Sequence, residues 1–317
     1  MKDQSTPNLA IEALLAPKSI ALVGVSDRPD SYGNALDRMV TEGGFSGRVM
    51  RINPRLAGQA NGRVLASLDE LPEAPEHVVL SVATARVETA VDAALASGAR
   101  ALTVFSACPD AAMRQRIGDR ILAAGAALCG PNSMGLHNIT LGLRVSPFPA
   151  PLDLTAGGIG LITQSGSILG ALMNNDRRLR FSQAVSTGSE TVTSAADYLH
   201  WMINQPENRV VGMFLETVRD PEGFITAMEA AAARDIPVVI LKIGRSALGA
   251  RMAISHTGAL VGNDDVFRSL VRRLGGHLAS SVDEMGAMLA MFGQGRRATA
   301  PGIASIHDSG GERELMA

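Results

Sequence analysis

The feature that most constrains this chain is a rhythm. Short runs that are apolar throughout alternate with stretches whose apolar residues recur at helical spacing. SIALVGV (residues 19–25) is followed by the polar loop SDRPDSYGN, and then Ala35, Leu36, Met39 and Val40 mark a helix face. RVMRIN, HVVLSVA and ALTVFSA read as further strands. Between and after them, Val87, Ala90, Val91, Ala94 and Leu95, then Met113, Ile117, Ile121 and Leu122, mark helices. A strand apolar on both faces must be covered on both faces, so the pattern predicts a parallel sheet between helix layers. Ligands of such sheets bind at the carboxyl ends of the strands.

The rhythm breaks once. Arg144–Gly158, RVSPFPAPLDLTAGG, holds three prolines and a glycine pair and reads as a linker over 144–157. It restarts with GIGLIT, FSQAVSTG, VVGMFLET and PVVILKIG, separated by helix faces such as Ile168, Leu169 and Leu172 or Tyr198, Leu199, Met202 and Ile203. Two α/β domains in tandem are expected, over 8–143 and 158–297, which also suits a length of 317 residues. Residues 298–317 read as a strand, a glycine turn and a helix start. Such a piece cannot bury its own apolar face, so it is expected to open a third domain.

Several classes are set aside. A net charge of -2 implies no broad attraction to nucleic acid or to an anionic membrane. The apolar runs are strand-sized and the first residues lack a signal-peptide core, so a cytoplasmic protein is expected. Cys108 and Cys129 have neither disulfide-framework nor metal-ligand spacing.

Chemistry should then sit in the loops. GVSDRPDSYGNAL opens onto a helix and could offer backbone N–H groups to a phosphate, or be an ordinary connection. Only Gly24 and Gly33 are present, and a dinucleotide fold normally needs the tighter G-x-G-x-x-G, so NAD is disfavoured. At the end of the second strand, INPR puts Arg55 where a dehydrogenase carries a ribose-binding carboxylate. A cation there suits a phosphate, or is simply solvated. In CGPNSMG, Pro131 and Asn132 make a turn that could touch a ligand. In TQSGSILG, Ser165, Gly166 and Ser167 stand where strand meets helix, as an anion site or a plain N-cap. Glu216 ends the apolar strand VVGMFLE, and its carboxylate must find a partner or a function. His256, one of six histidines, stands in SHTGAL after a strand. If Glu216 and His256 meet, the carboxylate would fix the tautomer and expose the other nitrogen as a nucleophile.

Taken in order, ALVGVSDRPDSYGNAL, INPR, FSA, GPNSMGL, LITQSGSILGAL, FLETVRD and LKIGRSALGARMAISHTGAL resemble the NDP-forming acyl-CoA synthetases. These are relatives of the succinyl-CoA synthetase α subunit, and the resemblance runs from about Asn8 to the end. It implies a Rossmann-like domain that binds coenzyme A, then a flavodoxin-like, succinyl-CoA synthetase-like domain with a transiently phosphorylated histidine. By position that histidine is His256, held by Glu216, with Ser165, Gly166 and Ser167 cradling the phosphoryl group. Gly24, Ser26, Asp27, Tyr32, Gly33, Asn53, Pro54, Arg55, Pro131 and Asn132 would line the CoA path. The reaction would join a small carboxylic acid to CoA, through an acyl phosphate, at the expense of ATP or GTP. ATP/ADP (or GTP/GDP) and Mg2+ would be held on an ATP-grasp domain or β subunit that nothing here resembles. No nucleic acid or membrane partner is implied, and an oligomer is expected. FSACPD and STGSE depart from the family at places that would shape the acyl pocket. Two other classes stay open: a CoA-binding regulatory module of a fused acetyltransferase, and an NAD(P) oxidoreductase.

Overall fold

The computed structural model describes residues 9–58, 64–244, 264–296, 298, 302 and 304–316. The first sheet is parallel and holds β1 (Ser19–Val23), β2 (Arg48–Ile52), β3 (His77–Leu80), β4 (Ala101–Val104) and β5 (Ala127–Cys129), in the order β2-β1-β3-β4-β5. Leu65 adds an isolated parallel bridge to Ile52 on the outer side of β2. Counting it as an edge strand, the order is the doubly wound 3-2-1-4-5-6 of a Rossmann-like domain. Alternation along β1 decides the layers. Ile20 and Leu22 face α1 (Leu9–Leu15) and α2 (Tyr32–Glu42), while Ala21 faces α3 (Val87–Ala96) and α4 (Ala111–Ala123).

The second sheet holds β6 (Gly135–Asn138), β7 (Leu143–Val145), β8 (Ile159–Thr163), β9 (Phe181–Ser186), β10 (Val210–Leu215), β11 (Val238–Lys242) and the two-residue β12 (His277–Leu278). Its order is β12-β11-β10-β8-β9-β6-β7. Strands β8 to β12 are parallel and follow the flavodoxin-like order. On one face pack α6 (Ala195–Met202), α7 (Pro221–Ala233) and α8 (Asp264–Arg273). On the other pack α5 (Gly166–Asn175) and α9 (Val282–Phe292).

Two features differ from the sequence reading. β6 pairs antiparallel with β9 and with β7, so the boundary expected at residue 143 falls inside an edge hairpin of the second sheet. The hairpin strands are four and three residues long, too short to display an alternation. The strand expected near residue 302 is not formed among the described residues there. Ala304–His307 is irregular and Ile306 is fully exposed, followed by α10 (Gly310–Met316). A lone strand has no neighbour to satisfy its backbone.

The two sheets share a core. Ile11, Leu14 and Leu15 of α1 are buried in one cluster with Leu36 of α2 and with Tyr198, Leu199 and Met202 of α6. Each such side chain contributes about 1.5–3 kcal/mol on burial. Trp201 Nε1 donates to Glu12 at 2.6 Å, and Asn138 Nδ2 donates to the Leu15 carbonyl at 3.0 Å. None of the described helices is long and apolar enough to cross a membrane.

Candidate active site

In each sheet the helices change sides at one place, and the strands diverge there to leave a crevice at their carboxyl ends. In the first sheet that place lies between β1 and β3. Gly24 ends β1 with φ +91°, and a Cβ on it would stand 2.3 Å from the Ser81 carbonyl oxygen. Gly33 lies in the first turn of α2, where a Cβ would stand 2.0 Å from the Gly24 carbonyl oxygen. The two glycines fill two of the three roles of the tighter dinucleotide pattern: one turns the chain and the other seats the helix against the strand end. The loop between them is pinned at its base. Ser31 caps α2 by accepting from the Asn34 amide at 3.2 Å, and Asn34 Nδ2 donates to the Ser26 carbonyl at 3.1 Å. Asp27 and Tyr32 are exposed, and the Tyr32 ring lies 5.5 Å from that of Phe148.

Asn53 is committed to structure. Its Nδ2 donates to the Val25 carbonyl at 2.6 Å and its Oδ1 accepts from the Arg55 amide at 2.8 Å. β2 runs into Asn53, Pro54 and Arg55, none of them a carboxylate that could take a ribose hydroxyl, and Pro54 and Arg55 are exposed on the turn. The GPN turn is part of a different contact. Asn132 has φ +60° and its amide donates to the Ser106 carbonyl at 3.0 Å. The Gly130 amide donates to Thr187 at 3.0 Å, and the Ser189 amide donates to Pro131 at 2.8 Å. Pro131 and Asn132 of the first domain are thus brought against the STGSE turn of the second.

In the second sheet the crevice lies between β8 and β10. Ser165 is the N-cap of α5: its hydroxyl accepts from the Ile168 amide at 3.4 Å and lies 3.0 Å from the Ser167 hydroxyl. The Ser165 amide donates to Thr163 Oγ1, and that hydroxyl donates to the Ser165 carbonyl, fixing the turn. Gly166 lies against the Met134 thioether, 2.2 Å from where a Cβ would sit. Ser165, Gly166 and Ser167 therefore present a helix N-terminus, with its partial positive charge, to the crevice. Glu216 follows β10 and is 5% exposed. Gln164 joins the two strand ends, accepting from the Glu216 amide at 2.7 Å. His256 lies outside the described residues. The described chain reaches Gly244, where the Ile243 amide donates to the Leu215 carbonyl at 2.9 Å, beside Glu216.

Two buried charged residues here escaped the sequence reading as site residues. Glu190 is 6% exposed with φ +48°. Burial pushes its carboxyl above the usual range, opposed by bonds from Gln164 and Thr187, by the Ala195 amide and by the charge of Arg219. Lys242 ends β11. Burial lowers its pKa, the Asp264 charge raises it, and its Nζ donates to the Ile243 carbonyl. A lysine closing the apolar run VVIL was the available signal. Cys108, by contrast, is fully buried in the core of the first domain, where burial raises its thiol, so it does not line the crevice. Among the described residues no group of three or more His, Cys, Asp and Glu side chains is placed to hold a metal ion.

Comparison with known proteins follows the same division. A family model described as a CoA binding domain matches residues 18–139, and one described as a succinyl-CoA ligase like flavodoxin domain matches residues 156–292. The chain is 28% identical over 326 residues to a trans-feruloyl-CoA synthase of an unknown prokaryotic organism, covering 99% of this chain and 46% of that protein. It is 28% identical over 320 residues to ADP-forming acetate–CoA ligase I of Archaeoglobus fulgidus, covering 97% and 45%. With the α subunit of the ADP-forming acetate–CoA ligase I of Pyrococcus furiosus it shares 26% over 288 residues, covering 87% and 62%. Among solved structures, the dinucleotide-forming acetyl-coenzyme A synthetase 1 of Ca. Korarchaeum cryptofilum, in complex with phosphate and ADP, superposes with a TM-score of 0.82. The identity is 26%, over 89% of this chain and 62% of that one. The chain thus spans less than half the length of the first two relatives.

Proposed function

We propose that this chain, whose two parts match a CoA binding domain and a succinyl-CoA ligase like flavodoxin domain, is the α-type part of an ADP-forming acid–CoA ligase. Phosphate adds to the acyl carbon of an acyl-CoA, the carbon–sulfur bond breaks, and CoA leaves as the thiol with an acyl phosphate formed. An imidazole nitrogen of His256 then takes the phosphoryl group, and the bond from phosphorus to the carboxyl oxygen breaks to release the acid. His256 passes the group to ADP on an ATP-grasp domain or β subunit, which would also hold Mg2+. Synthesis of the acyl-CoA runs the steps in reverse, in the cytoplasm.

In this reading the Gly24–Gly33 loop with Ser26, Asp27 and Tyr32 holds the nucleotide end of CoA, together with Asn53, Pro54 and Arg55. Pro131 and Asn132 border the pantetheine. The N-terminus of α5 cradles the phosphoryl group by its amides and by Ser165 and Ser167. The Glu216 carboxylate accepts a bond from one imidazole nitrogen and so leaves the other as the nucleophile. One observation supports the reading most: the helix start after β8 and the glutamate after β10 stand at neighbouring strand ends bridged by Gln164, in a domain joined to one that matches a CoA binding domain.

The test is the phosphohistidine. The protein with its ATP-grasp partner, given labelled ATP, should acquire a label that is lost in acid and survives base. His256→Ala should abolish it. Glu216→Gln keeps the shape without the charge and should slow labelling rather than end it. Full labelling of His256→Ala would refute the reading.

A further inference from the structure

The residues that hold the backbone of Glu216 are themselves arranged as a chain of side chains. Beyond the Gln164 amide, which donates to the Phe214 carbonyl at 3.1 Å, β8 and β10 no longer exchange ladder bonds, because the strands diverge at the crevice. The Gln164 side chain supplies what the ladder no longer does. Its Oε1 accepts from the amides of Glu216 at 2.7 Å and Thr217 at 3.0 Å. Its Nε2 donates to the Thr217 carbonyl at 2.9 Å and to Glu190 Oε1 at 2.8 Å. Two backbone N–H groups can only donate, so the atom facing them is the oxygen. The orientation of the carboxamide is therefore fixed, and both of its N–H bonds are used. Glu190 Oε1 also accepts from Thr187 Oγ1 at 2.8 Å, which ties the arrangement to the turn after β9.

We propose that Gln164, held in turn by Glu190 and Thr187, is a positioning residue that sets the backbone of Glu216 and hence the line along which its carboxylate meets the reactive imidazole. This rests on the phosphohistidine reading given above. The argument is geometric. Glu216 lies past the last ladder bond of its strand, so the direction of its Cα–Cβ bond depends on what grips its amide. A displacement near 1 Å in such a support can cost on the order of 100-fold in rate.

The experiment is single-turnover formation of the acid-labile label by the protein with its ATP-grasp partner, with steady-state kinetics alongside. Gln164→Leu should lower the labelling rate and kcat by about 10- to 100-fold and leave KM for CoA within about 2-fold, since the residue borders only the second crevice. Glu190→Ala should fall as well, and Glu190→Gln, which still offers an oxygen to Gln164 and Thr187, should recover most of that loss. The Glu190 pair stands in if Gln164→Leu does not fold. A folded Gln164→Leu that labels at the wild-type rate would overturn the proposal, as would Glu190→Gln falling as far as Glu190→Ala. Wild-type protein that takes no label would instead overturn the phosphohistidine reading, and the proposal with it.

Discussion

Replacing Gly33 with alanine tests whether the seat of α2 against β1 makes the first crevice. Inside a helix, alanine is favoured over glycine by about 1 kcal/mol, and less in a first turn. Against that, the new Cβ would lie 2.0 Å from the Gly24 carbonyl oxygen and 3.2 Å from the Ser26 amide nitrogen. Non-bonded heavy atoms prefer about 3.5 Å, so one backbone segment must retreat by roughly 1.5 Å. No flexible side-chain end is available to yield. Overpacking of this kind costs about 1–3 kcal/mol. The expected net loss is then about 1–2 kcal/mol, or a fall of roughly 2–8 °C in melting temperature. The retreat displaces the loop expected to hold the nucleotide end of CoA, so calorimetric CoA affinity should fall by at least about tenfold, some 1.4 kcal/mol. Gly286 in α9 is the control, because a Cβ there meets nothing within 4 Å. Gly286→Ala should raise stability by about 0.5–1 kcal/mol and leave CoA binding alone. A Gly33→Ala protein that melts like Gly286→Ala and binds CoA normally would refute the reasoning.

Stability should also depend on mild acid. Burial lowers His77 and His137 to a pKa of about 3, with Arg144 adding to the effect at His137. The unfolded chain takes up these protons below about pH 6.5 and the folded chain does not. The contribution is therefore present above pH 6.5 and is lost as pH falls toward 3, at up to about 1.4 kcal/mol per pH unit for each histidine. Urea midpoints at pH 7.5, 6.5 and 5.5 measure the slope, and His137→Leu should reduce it by about half. Gly166→Ala would press on the Met134 thioether and should cost about 1–2 kcal/mol. Because a side chain rather than backbone is struck, Met134→Ala should relieve most of that cost in a double-mutant cycle. Arg55→Ala should weaken CoA more than dephospho-CoA if the guanidinium meets the 3′-phosphate, and equal weakening of both would exclude that contact.

The parts of this architecture visible in the sequence were those with a period. SIALV, HVVL, VVGMFL and VVILK are apolar at nearly every position because both faces of the sheet are covered, and runs of four to six residues alternating with helix-spaced stretches are too short to be buried helices. The hairpin β6–β7 has no such mark. His137 and Arg144 face each other across it, both buried, and with Asn138 they make three polar residues in seven strand positions, which obscures the apolar pattern. Helices α1 and α9 were also missed. Ile11, Leu14 and Leu15 of α1 do stand at the i, i+3, i+4 spacing of a helix face, but the helix is only seven residues long, shorter than the window over which such a period is distinctive. At the site, Ser165–Ser167 and Glu216 were legible because each sits where an apolar strand stops. Gln164 and Glu190 were not singled out. The importance of Gln164 comes from bonds to residues more than 25 positions away, and sequence spacing carries no trace of them.

The turn from Thr187 to Glu190 joins the two crevices. Its backbone grips the GPN turn through Gly130 and Pro131, beside the expected path of the pantetheine. Its Glu190 carboxylate, held by the Thr187 hydroxyl, accepts from Gln164 Nε2 and so steadies the start of Glu216. Four residues therefore hold the carboxyl end of β5 in one sheet and the ends of β8 and β10 in the other. In the proposed reaction the thiol end of one ligand must meet a phosphoryl group bound by the other domain. The gain from such an approximation depends on how little the two halves move relative to each other. The shared core through α1 fixes the domains as bodies, and this turn fixes the two reacting ends locally. The bonds from Gly130 and Ser189 bring the carboxyl end of β5 against the turn that follows β9, so the sites proposed for the two domains lie within reach of one short turn.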